Sequence, residues 1–298
     1  MERCNTEIHF LKTEWSDIII LENHGHFAMI DTGMADQFPQ IIDFLNEHGA
    51  KKLDFILLTH FHRDHYGSIP LLLDTLPVEQ VILKEYSGLD RTTAWGTIAD
   101  DAYRADEMRK YRAMQEQIRE KSRLIQAEKI DHVDFMGQRL KLFNAANSIR
   151  TIYEDAAYPE TYHQFTCSEN QNSLAIWMEA EGMNVFFGGD IQDVPSAHPL
   201  ANYVNTRIAY EIGKKADLYK APHHGTIHTA APDALAVYQP KYVVITNGEK
   251  YLRDHSDVFS LLAPYHPMIY LTECQNVCMT LDHGKVTVHE DVMPKPQS

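Results

Sequence analysis

Short apolar runs bounded by turn residues dominate the N-terminal third of the chain. They predict β-strands at residues 18–21, 27–30, 53–58 and 78–83. His24 and Gly25 separate the first two runs, which predicts a β-hairpin. Between residues 39 and 48 the apolar positions recur at helical intervals and stop at Gly49, a residue that favours the end of a helix. This alternation of strand and helix predicts a layered α/β domain.

A long segment of different character follows. No glycine or proline occurs between Gly96 and Gly137, and apolar residues recur every three or four positions from 99 to 129. The pattern predicts one long or two consecutive amphipathic helices, which serve either as a structural cover or as a lid that selects substrates. Because no linker interrupts the chain, we expect a single domain over residues 1–298 with a helical insertion at 99–129.

Strands return in the second half of the chain. Apolar runs predict strands at residues 139–143, 173–178, 184–187, 218–220, 242–246 and 268–271, a helix at 201–212 and a terminal hairpin over 277–288. Several of these strands lead directly into polar residues, and we expect the chemistry of the protein there.

Composition excludes several classes of protein. Of the 298 residues 44% are hydrophobic and 10% aromatic, which is too many for an intrinsically disordered chain. The formal net charge of −15 argues against a long nucleic-acid-binding groove. No apolar run approaches the roughly 20 residues needed to cross a bilayer. The N-terminal segment mixes charged with apolar residues, so we expect a cytoplasmic protein, or an exported one if a signal was trimmed.

The strongest chemical signal among the 17 histidines is a motif that follows the predicted strand at 53–58. It contains His60, His62, Asp64 and His65. His60 and His62 leave the strand end in the same direction, which suits one metal ion, whereas Asp64 and His65 can face a neighbouring ion. Imidazole and carboxylate ligands suit Zn²⁺, with Mn²⁺ or Fe as alternatives where oxygen ligands dominate. The motif therefore predicts a site for two divalent metal ions.

Two later motifs supply donors that such a site still needs. Asp190 follows a predicted strand and two glycines, and it is the candidate for a carboxylate that bridges both ions. The pair His223-His224 follows Pro222 at another strand end and supplies a further imidazole for the second ion. The spacing leaves open which of the two histidines is the ligand.

The order of these motifs resembles that of the metallo-β-lactamase superfamily. The motifs that carry the resemblance are, in chain order, Asp31-Thr32-Gly33, His60-x-His62-x-Asp64-His65, Gly189-Asp190 and His223-His224-Gly225. Residues 170–174, 220–226, 246–248 and 254–255 are similar to the competence-protein (ComEC-type) branch, which also includes the bacterial cell-wall phosphorylcholine esterases. The resemblance covers nearly the whole chain, and only the helical segment at 99–129 is not required by it.

The resemblance implies a fold and a set of ligands. The fold is a four-layer αββα sandwich with a binuclear metal centre at one edge of its two sheets. Carried over residue by residue, the first ion is held by His60, His62 and Asp190, and the second by Asp64, His65, Asp190 and His224. His224 is preferred because the last histidine of the superfamily commonly precedes a glycine, and His223 then becomes a neighbour that faces the substrate.

The resemblance also implies supporting residues. Asp31 corresponds to a buried acid that orients a ligand histidine. Lys220, Thr226 and Asn172 are the other residues expected to support the centre.

One departure concerns the first ion. Most of the superfamily supplies a further histidine before the strand that leads to the bridging aspartate. Here Asn170 and Asn172 stand in that stretch, as is usual in the competence branch, and His163 lies upstream. This leaves the coordination of the first ion open, with His163 as the less favoured candidate ligand.

These expectations lead to a hypothesis about the reaction. A hydroxide shared by two metal ions attacks the phosphorus of a small or polymeric phosphodiester, while the ions stabilise the developing charge. Asp64, His223 and His255 are the catalytic candidates, and Lys220 and Thr226 are further candidates to bind phosphate oxygens. The alternatives are hydrolysis of a thioester or lactone by the same fold and a catalytically silent metal-binding module. The sequence does not indicate an oligomeric state.

Overall fold

Two β-sheets form the centre of the molecule, and helices pack on their outer surfaces. The computed structural model describes residues 5–88, 99–146, 169–194, 202–226 and 231–291. The strands in these ranges are β1 Thr6–Phe10, β2 Ile18–Asn23, β3 His26–Thr32, β4 Phe55–Leu57, β5 Gln80–Leu83, β6 Arg123–Gln126, β7 His132–Phe135, β8 Gln138–Phe143, β9 Ala175–Ala180, β10 Met183–Phe187, β11 Leu218–Lys220, β12 Tyr242–Ile245, β13 Met268–Leu271, β14 Asn276–Asp282 and β15 Lys285–Asp291. The α-helices are α1 Phe38–Glu47, α2 Arg63–Tyr66, α3 Ile69–Thr75, α4 Asp101–Lys121, α5 Val204–Ile212, α6 Pro232–Tyr238, α7 Glu249–His255 and α8 Val258–Leu262.

Each sheet mixes parallel and antiparallel pairs. Within the described residues, the first sheet has the order β15-β14-β1-β2-β3-β4-β5-β6 and the second the order β13-β12-β11-β10-β9-β8-β7. The strands from β3 to β6 run parallel, as do those from β10 to β13. The remaining neighbours, including the terminal β14–β15 hairpin, are antiparallel.

Burial on both faces of the sheets produces the layered arrangement. In β2, Ile19 points between the sheets and joins a cluster with Met178 of the second sheet. Its neighbour Ile20 points outward and packs in a cluster with Phe44 of α1 and Met114 of α4. A third apolar cluster joins the outer face of the second sheet to α5, α6 and α8. A strand covered on both faces is apolar without interruption, and the predicted αββα architecture is confirmed.

The structure differs from the sequence prediction in the long helical segment. α4 ends at Lys121, and residues 123–126 form β6, which pairs in parallel with β5 at the edge of the first sheet. Two adjacent apolar residues, Leu124 and Ile125, fit a helical or an extended pattern equally well, so periodicity alone could not separate the two. The segment thus contributes a strand to the sheet and three buried apolar side chains of α4, which are Tyr111, Met114 and Ile118.

Two further strands were not predicted. β1 contains Glu7 and His9 among its apolar residues, and β7 is a four-residue edge strand that alternates between half-exposed and buried positions. Neither offers the uninterrupted apolar run that marks the central strands. Among the described helices, none has the length and apolar character needed to span a membrane.

The carboxyl ends of the parallel strands meet at one edge of the molecule. Asp31 lies near the end of β3, and His60 follows β4. In the second sheet Asp190 follows β10, His223 follows β11 and Thr246 follows β12. Because parallel strands end on the same side, residues far apart in the sequence come together at this edge.

Candidate metal centre

Three donors lie where the loop after β4 meets the loop after β10. His60 Nε2 is 3.0 Å from His62 Nδ1 and 3.7 Å from Asp190 Oδ2. One possible ligand atom from each of the three residues lies within 4.8 Å of the other two. We call His60, His62 and Asp190 the three-donor group.

Four donors meet beside it. His65 Nε2 lies 3.3 Å from Asp190 Oδ2 and 3.8 Å from Asp64 Oδ2. His224 Nε2 lies 3.4 Å from Asp64 Oδ2 and 3.7 Å from Asp190 Oδ1. These residues again lie within 4.8 Å of one another, and we call Asp64, His65, Asp190 and His224 the four-donor group. Asp190 belongs to both groups, so its carboxylate sits where a bridging ligand is required.

Three buried atoms that could bind a metal ion here lack a hydrogen bond. Among the described residues, His65 Nε2, His224 Nε2 and Asp190 Oδ1 have no hydrogen-bond partner. Without hydrogen-bond geometry, His65 Nε2 and His224 Nε2 face the Asp190 carboxylate at ion-pair distances of 3.3 Å and 3.7 Å. Imidazole nitrogens and carboxylate oxygens in this arrangement are the ligands that divalent cations such as Zn²⁺ take. The residues present therefore fit a pair of metal ions.

The glycines before Asp190 allow the two sheets to approach each other closely. Gly189 has a positive φ of 51°, and a Cβ atom on it would lie 2.8 Å from the Leu174 carbonyl oxygen and 3.0 Å from Thr59 Cβ. Any larger residue would push the Asp190 loop away from the strand end that carries His60. The glycine is thus required by the meeting of the two donor loops.

The two consecutive histidines adopt an unusual backbone conformation. His223 and His224 both have positive φ values, 44° and 54°, within the short 3-10 turn Pro222–Gly225. Left-handed conformations cost energy for residues other than glycine and persist where the surroundings enforce them. Here the turn directs His224 into the four-donor group and leaves His223 at its border.

Asp31 fixes the ring of His65. One carboxylate oxygen of Asp31 accepts from the Thr59 backbone N–H at 2.8 Å, and the other accepts from the Thr59 hydroxyl at 2.7 Å. His65 Nδ1 lies 2.8 Å from the same carboxylate. The side chain that the sequence assigned to orienting a ligand histidine thus contacts one, and His65 Nε2 is left to face Asp190.

Asp17, which sequence reasoning missed, does the same for His224. Its Oδ1 lies 3.1 Å from His224 Nδ1 and accepts from the Thr246 hydroxyl at 2.6 Å. The Lys220 ammonium forms an ion pair with the other carboxylate oxygen. The only sequence signal is an acid immediately before a buried strand, which resembles an ordinary strand boundary. Its contact with His224 depends on tertiary structure.

The carboxylates around the four-donor group control its electrostatics. Burial alone would lower the pKa of His65, but Asp190, Asp31 and Asp64 raise it well above the usual value. Burial also opposes the shift at His224, where Asp190 and Asp17 raise the pKa to about 9. The carboxylates thus favour positive charge at the imidazoles, and a divalent cation would supply the same charge.

At His60 and His223, unlike at His65 and His224, burial outweighs the neighbouring carboxylates and lowers the pKa. Burial, and then the neighbouring His65, hold the pKa of His60 well below its usual value, so the ring is neutral and suited to a metal. Burial likewise lowers the pKa of His223 to about 4. The His223 side chain keeps 21% of its surface exposed, and its Nε2 lies 3.9 Å from Asp190 Oδ2. It is therefore a neutral imidazole at the open border of the centre.

Two of the predicted supporting residues, Thr226 and Lys220, support different histidines. Thr226 Oγ1 lies 2.7 Å from His223 Nδ1, so Thr226 positions that ring. Lys220 is fully buried and paired with Asp17, so it cannot reach a phosphate oxygen of a substrate as one expectation held. Its position instead supports the carboxylate that contacts His224.

The Asn172 amide donates hydrogen bonds to residues outside both donor groups. Its amide donates to the Glu85 carbonyl at 2.8 Å and to Glu169 Oε1 at 3.1 Å. Asn170 is the residue that borders the centre, since its Nδ2 lies 3.2 Å from His223 Nε2. These two contacts of Asn172 organise the loop before β9.

Glu169 supports the loop that carries His60 and His62, and this role was also missed by sequence reasoning. Its carboxylate accepts from the backbone N–H groups of Phe61 at 3.4 Å and Ser87 at 3.0 Å, and from the Ser87 hydroxyl. Phe61 lies between His60 and His62, so this contact holds the loop of the three-donor group. A glutamate four residues before the predicted strand at 173–178 carries no local signal of this role.

His255 lies at the rim and not within either donor group. It is exposed at the end of α7, with its ring 4.8 Å from that of Tyr251. Tyr251 contacts Trp15, whose ring is 6.0 Å from that of His224. His163 falls outside the described residues.

Comparisons with known proteins show which family and which fold this chain is similar to. Residues 16–143 match the family model described as Metallo-beta-lactamase superfamily. This segment of the chain belongs to the metallo-β-lactamase superfamily. That segment includes Asp17, Asp31 and the His60–His65 motif, whereas Asp190 and His224 lie in the part beyond it.

Individual relatives are similar over different lengths. ComE operon protein 3 of Bacillus subtilis (strain 168) is 24% identical over 235 residues, which are 78% of this chain and 25% of that protein. Hydroxyacylglutathione hydrolase of Aliivibrio salmonicida (strain LFI1238) is 38% identical over 64 residues, 22% of this chain and 24% of that protein. The chain thus matches about a quarter of the length of these curated relatives.

A solved structure supports the fold. The metallo-beta-lactamase fold protein YhfI from Bacillus subtilis superposes with a TM-score of 0.53 over 97% of this chain and 100% of that one, at 10% sequence identity. At this identity the likeness concerns the architecture alone, and it agrees with the αββα sandwich of the metallo-β-lactamase domain.

Proposed function

We propose that this metallo-β-lactamase domain is a metal-dependent hydrolase that cleaves phosphodiesters. The observation that carries the proposal is the pair of donor groups sharing Asp190, with three buried donor atoms left unpaired among the described residues. Two divalent ions held there would lower the pKa of a water molecule and neutralise charge on a substrate oxygen. The protein supplies the ligands and the groups that orient them.

The residues around the donors have separable tasks. Asp31 and Asp17 hold His65 and His224 from the side opposite to the donor atoms. Asp64 reaches both of these histidines and is itself a ligand candidate.

His223 is the candidate for handling a proton. It borders Asp190, is partly exposed, and is fixed by Asn170 and Thr226. As a neutral imidazole, it would take the proton released by the attacking water at Nε2 and pass it to the leaving oxygen of the substrate. His255, at the rim beyond Tyr251, is the candidate for contacts with a more distant part of the substrate.

Support for a phosphodiester comes from the chemistry of a two-ion centre. Ions on either side of a shared carboxylate can stabilise both the attacking and the leaving oxygen of an in-line displacement. The similarity to ComE operon protein 3 over 78% of this chain agrees with the motifs that resemble the competence branch, for which phosphodiesters are the expected substrates. The net charge of −15 favours a small or locally bound substrate over an extended nucleic acid.

Thioester hydrolysis is the second candidate, and one observation favours it. The 64-residue match to hydroxyacylglutathione hydrolase is closer in identity, 38%, than the longer match to ComE operon protein 3. A two-ion centre can also polarise a carbonyl group, so the donors alone do not separate the two reactions.

Turnover measurements distinguish the candidates. The zinc- or manganese-loaded protein is tested with bis(p-nitrophenyl) phosphate and with an acylglutathione thioester. We expect phosphodiester cleavage that is lost on chelation and in Asp190→Ala, but kept in His26→Ala, whose imidazole contacts Asp54 at the other end of β4. Cleavage of the thioester alone would overturn the phosphodiester proposal. Full metal content with no turnover would instead indicate a silent metal-binding module.

A second variant tests the role of His223. His223→Ala removes the proposed proton donor while leaving both donor groups complete. We expect turnover to fall by about 10²- to 10⁴-fold, the range typical of a lost general acid, with metal content unchanged. Unchanged turnover would remove His223 from the mechanism.

A further inference from the structure

A second cluster of metal-ligating side chains lies on the outer face of the first sheet. Its members come from three strands and the end of one helix, and they are Glu7, His9, Glu22, His48 and Cys278. Asp17, beside His224, precedes β2, whereas Glu22 lies near the other end of that strand. Five residues of extended chain span about 16 Å. The cluster is therefore separate from the centre at the strand ends.

Sheet register brings these donors together. His9 of β1 lies directly opposite Cys278 of β14, and Glu7 of β1 lies directly opposite Glu22 of β2. Glu7 and His9 are two residues apart, so they share one face of β1. His48 follows α1, which covers this face, and its ring stacks on that of Phe44 at 4.0 Å.

The ligand atoms form two overlapping groups of three, His9 with Glu22 and His48, and His9 with Glu7 and Cys278, each with mutual distances within 4.8 Å. Glu22 Oε2 lies 3.2 Å from His9 Nε2 and 2.9 Å from His48 Nδ1. Glu7 Oε2 lies 3.5 Å from His9 Nε2. Zinc bonds of roughly 2.0–2.1 Å in a tetrahedron separate neighbouring ligand atoms by about 3.3 Å. The atoms of His9, Glu22 and His48 therefore lie close to the spacing of three zinc ligands, and a fourth ligand requires a side-chain movement of Glu7 or Cys278.

Two features of the cluster are unfavourable for the protein side chains by themselves. Like charges directly opposite on neighbouring strands repel, and Glu7 faces Glu22 in this way. Within the described ranges, the ion-pair partners of these two carboxylates are imidazoles, not lysine or arginine. In addition His9 is only 2% exposed, and its Nδ1 has no hydrogen-bond partner among the described residues. A divalent cation bound at His9 Nε2 would offset the repulsion between the two carboxylates.

We propose that this cluster is an additional zinc site. His9, Glu22 and His48 are three of its ligands, and the fourth comes from Glu7 or Cys278. Nitrogen, oxygen and sulfur donors together favour Zn²⁺ over Mg²⁺ or Ca²⁺, which prefer oxygen alone. An ion held there would tie β1, β2 and the end of α1 together, so its role is structural. The site is independent of the proposed hydrolase activity.

Metal counting tests the site on the full chain. The protein is stripped with a chelator, dialysed against Zn²⁺ and analysed for zinc per chain by mass spectrometry. We expect His48→Ala and the isosteric Glu22→Gln each to bind one zinc fewer than the unaltered protein, with a lower unfolding temperature in zinc and unchanged hydrolase turnover. The matched control is His26→Ala, since His26 forms a similar half-exposed imidazole–carboxylate pair with Asp54, at 2.8 Å, and should lose no zinc.

The same count can be made without the first centre. The double variant Asp190→Ala/His224→Ala disables the shared centre, and we expect it to retain one zinc that a further His48→Ala substitution removes. Equal zinc content in the unaltered protein, His48→Ala and Glu22→Gln would overturn the proposal. A double variant that binds no zinc while remaining folded by circular dichroism would overturn it as well.

Discussion

Asp17 and His224 are separated by 207 positions in the chain, yet Asp17 Oδ1 lies 3.1 Å from His224 Nδ1. Asp31 holds the neighbouring His65 in the same way, at 2.8 Å. Each of the two histidines of the four-donor group thus has its own buried carboxylate behind it. The arrangement fixes which ring nitrogen is presented to a metal ion.

The first prediction concerns Asp17. In Asp17→Asn the ring of His224 loses its charged partner, so we expect zinc to bind to the four-donor group about 10- to 100-fold more weakly, the usual effect of losing such a contact. Competition with a chromophoric chelator measures the affinity. Asp54→Asn, which removes the carboxylate beside His26, is the control. Equal affinity in Asp17→Asn and Asp54→Asn would contradict the role of Asp17.

The second prediction concerns the order of metal binding. The four-donor group offers one more protein ligand than the three-donor group, so we expect it to bind the first equivalent of zinc more tightly. The titration is carried out in a His48→Ala background, which removes the additional zinc site. There, His224→Ala should weaken the tight equivalent and His62→Ala only the weaker one. A loss of the same equivalent in both variants would argue against two distinct groups.

The third prediction is a pH dependence of stabilisation by zinc. The pKa of His65 is raised well above its usual value and that of His224 to about 9. In the absence of metal, their charged forms stabilise the fold fully below about pH 6.5, the pKa of an unfolded histidine, and this contribution is lost as the pH rises toward 9. His60 and His223, with lowered pKa values, affect stability only below that window. Burial lowers the pKa of Lys84 to about 7, so its contribution makes the fold more stable as the pH rises. This contribution is the same with and without zinc, and it cancels when the two are compared.

Zinc competes with the protons on these two histidines, so it binds more tightly as the pH rises. We therefore expect the zinc-induced increase in unfolding temperature to be larger at pH 9 than at pH 6.5. Differential scanning fluorimetry with and without chelator measures it. An increase that is the same at both pH values, or larger at pH 6.5, would mean that protons and metal do not share these rings.

The fourth prediction concerns Glu169. Glu169→Gln keeps the shape of the side chain but removes the charge that accepts hydrogen bonds from Phe61 and Ser87. We expect a loss of about 1–3 kcal/mol in stability, the usual cost of weakened buried hydrogen bonds, and weaker zinc binding at the three-donor group. Urea denaturation and the zinc titration measure the two effects. Zinc binding that weakens at the four-donor group instead would show that Glu169 does not act through the His60–His62 loop.

Much of this architecture could be predicted from the sequence, because central strands that are buried on both faces are apolar without interruption. The runs at 18–21 and 184–187 thus marked β2 and β10. The donor motifs were visible because each stands at a strand end. β6 was hidden because Leu124 and Ile125 continue a helical pattern as well as they form a strand.

The supporting contacts could not be predicted from local patterns. Asp17 and Glu169 act on residues distant in the sequence, and their neighbours in the chain carry no distinctive spacing. Lys220 was a candidate to bind phosphate oxygens of a substrate, but its alternation within β11 turns it inward to Asp17. The outer cluster around His9 likewise arises from sheet register.

Anomalous scattering at the zinc edge from crystals grown with zinc is the most direct test of the central claim. The account predicts two neighbouring peaks on either side of the Asp190 carboxylate, one beside His60 and His62 and the other beside His65 and His224. Diffraction data that show these side chains without any anomalous peak between them would contradict it.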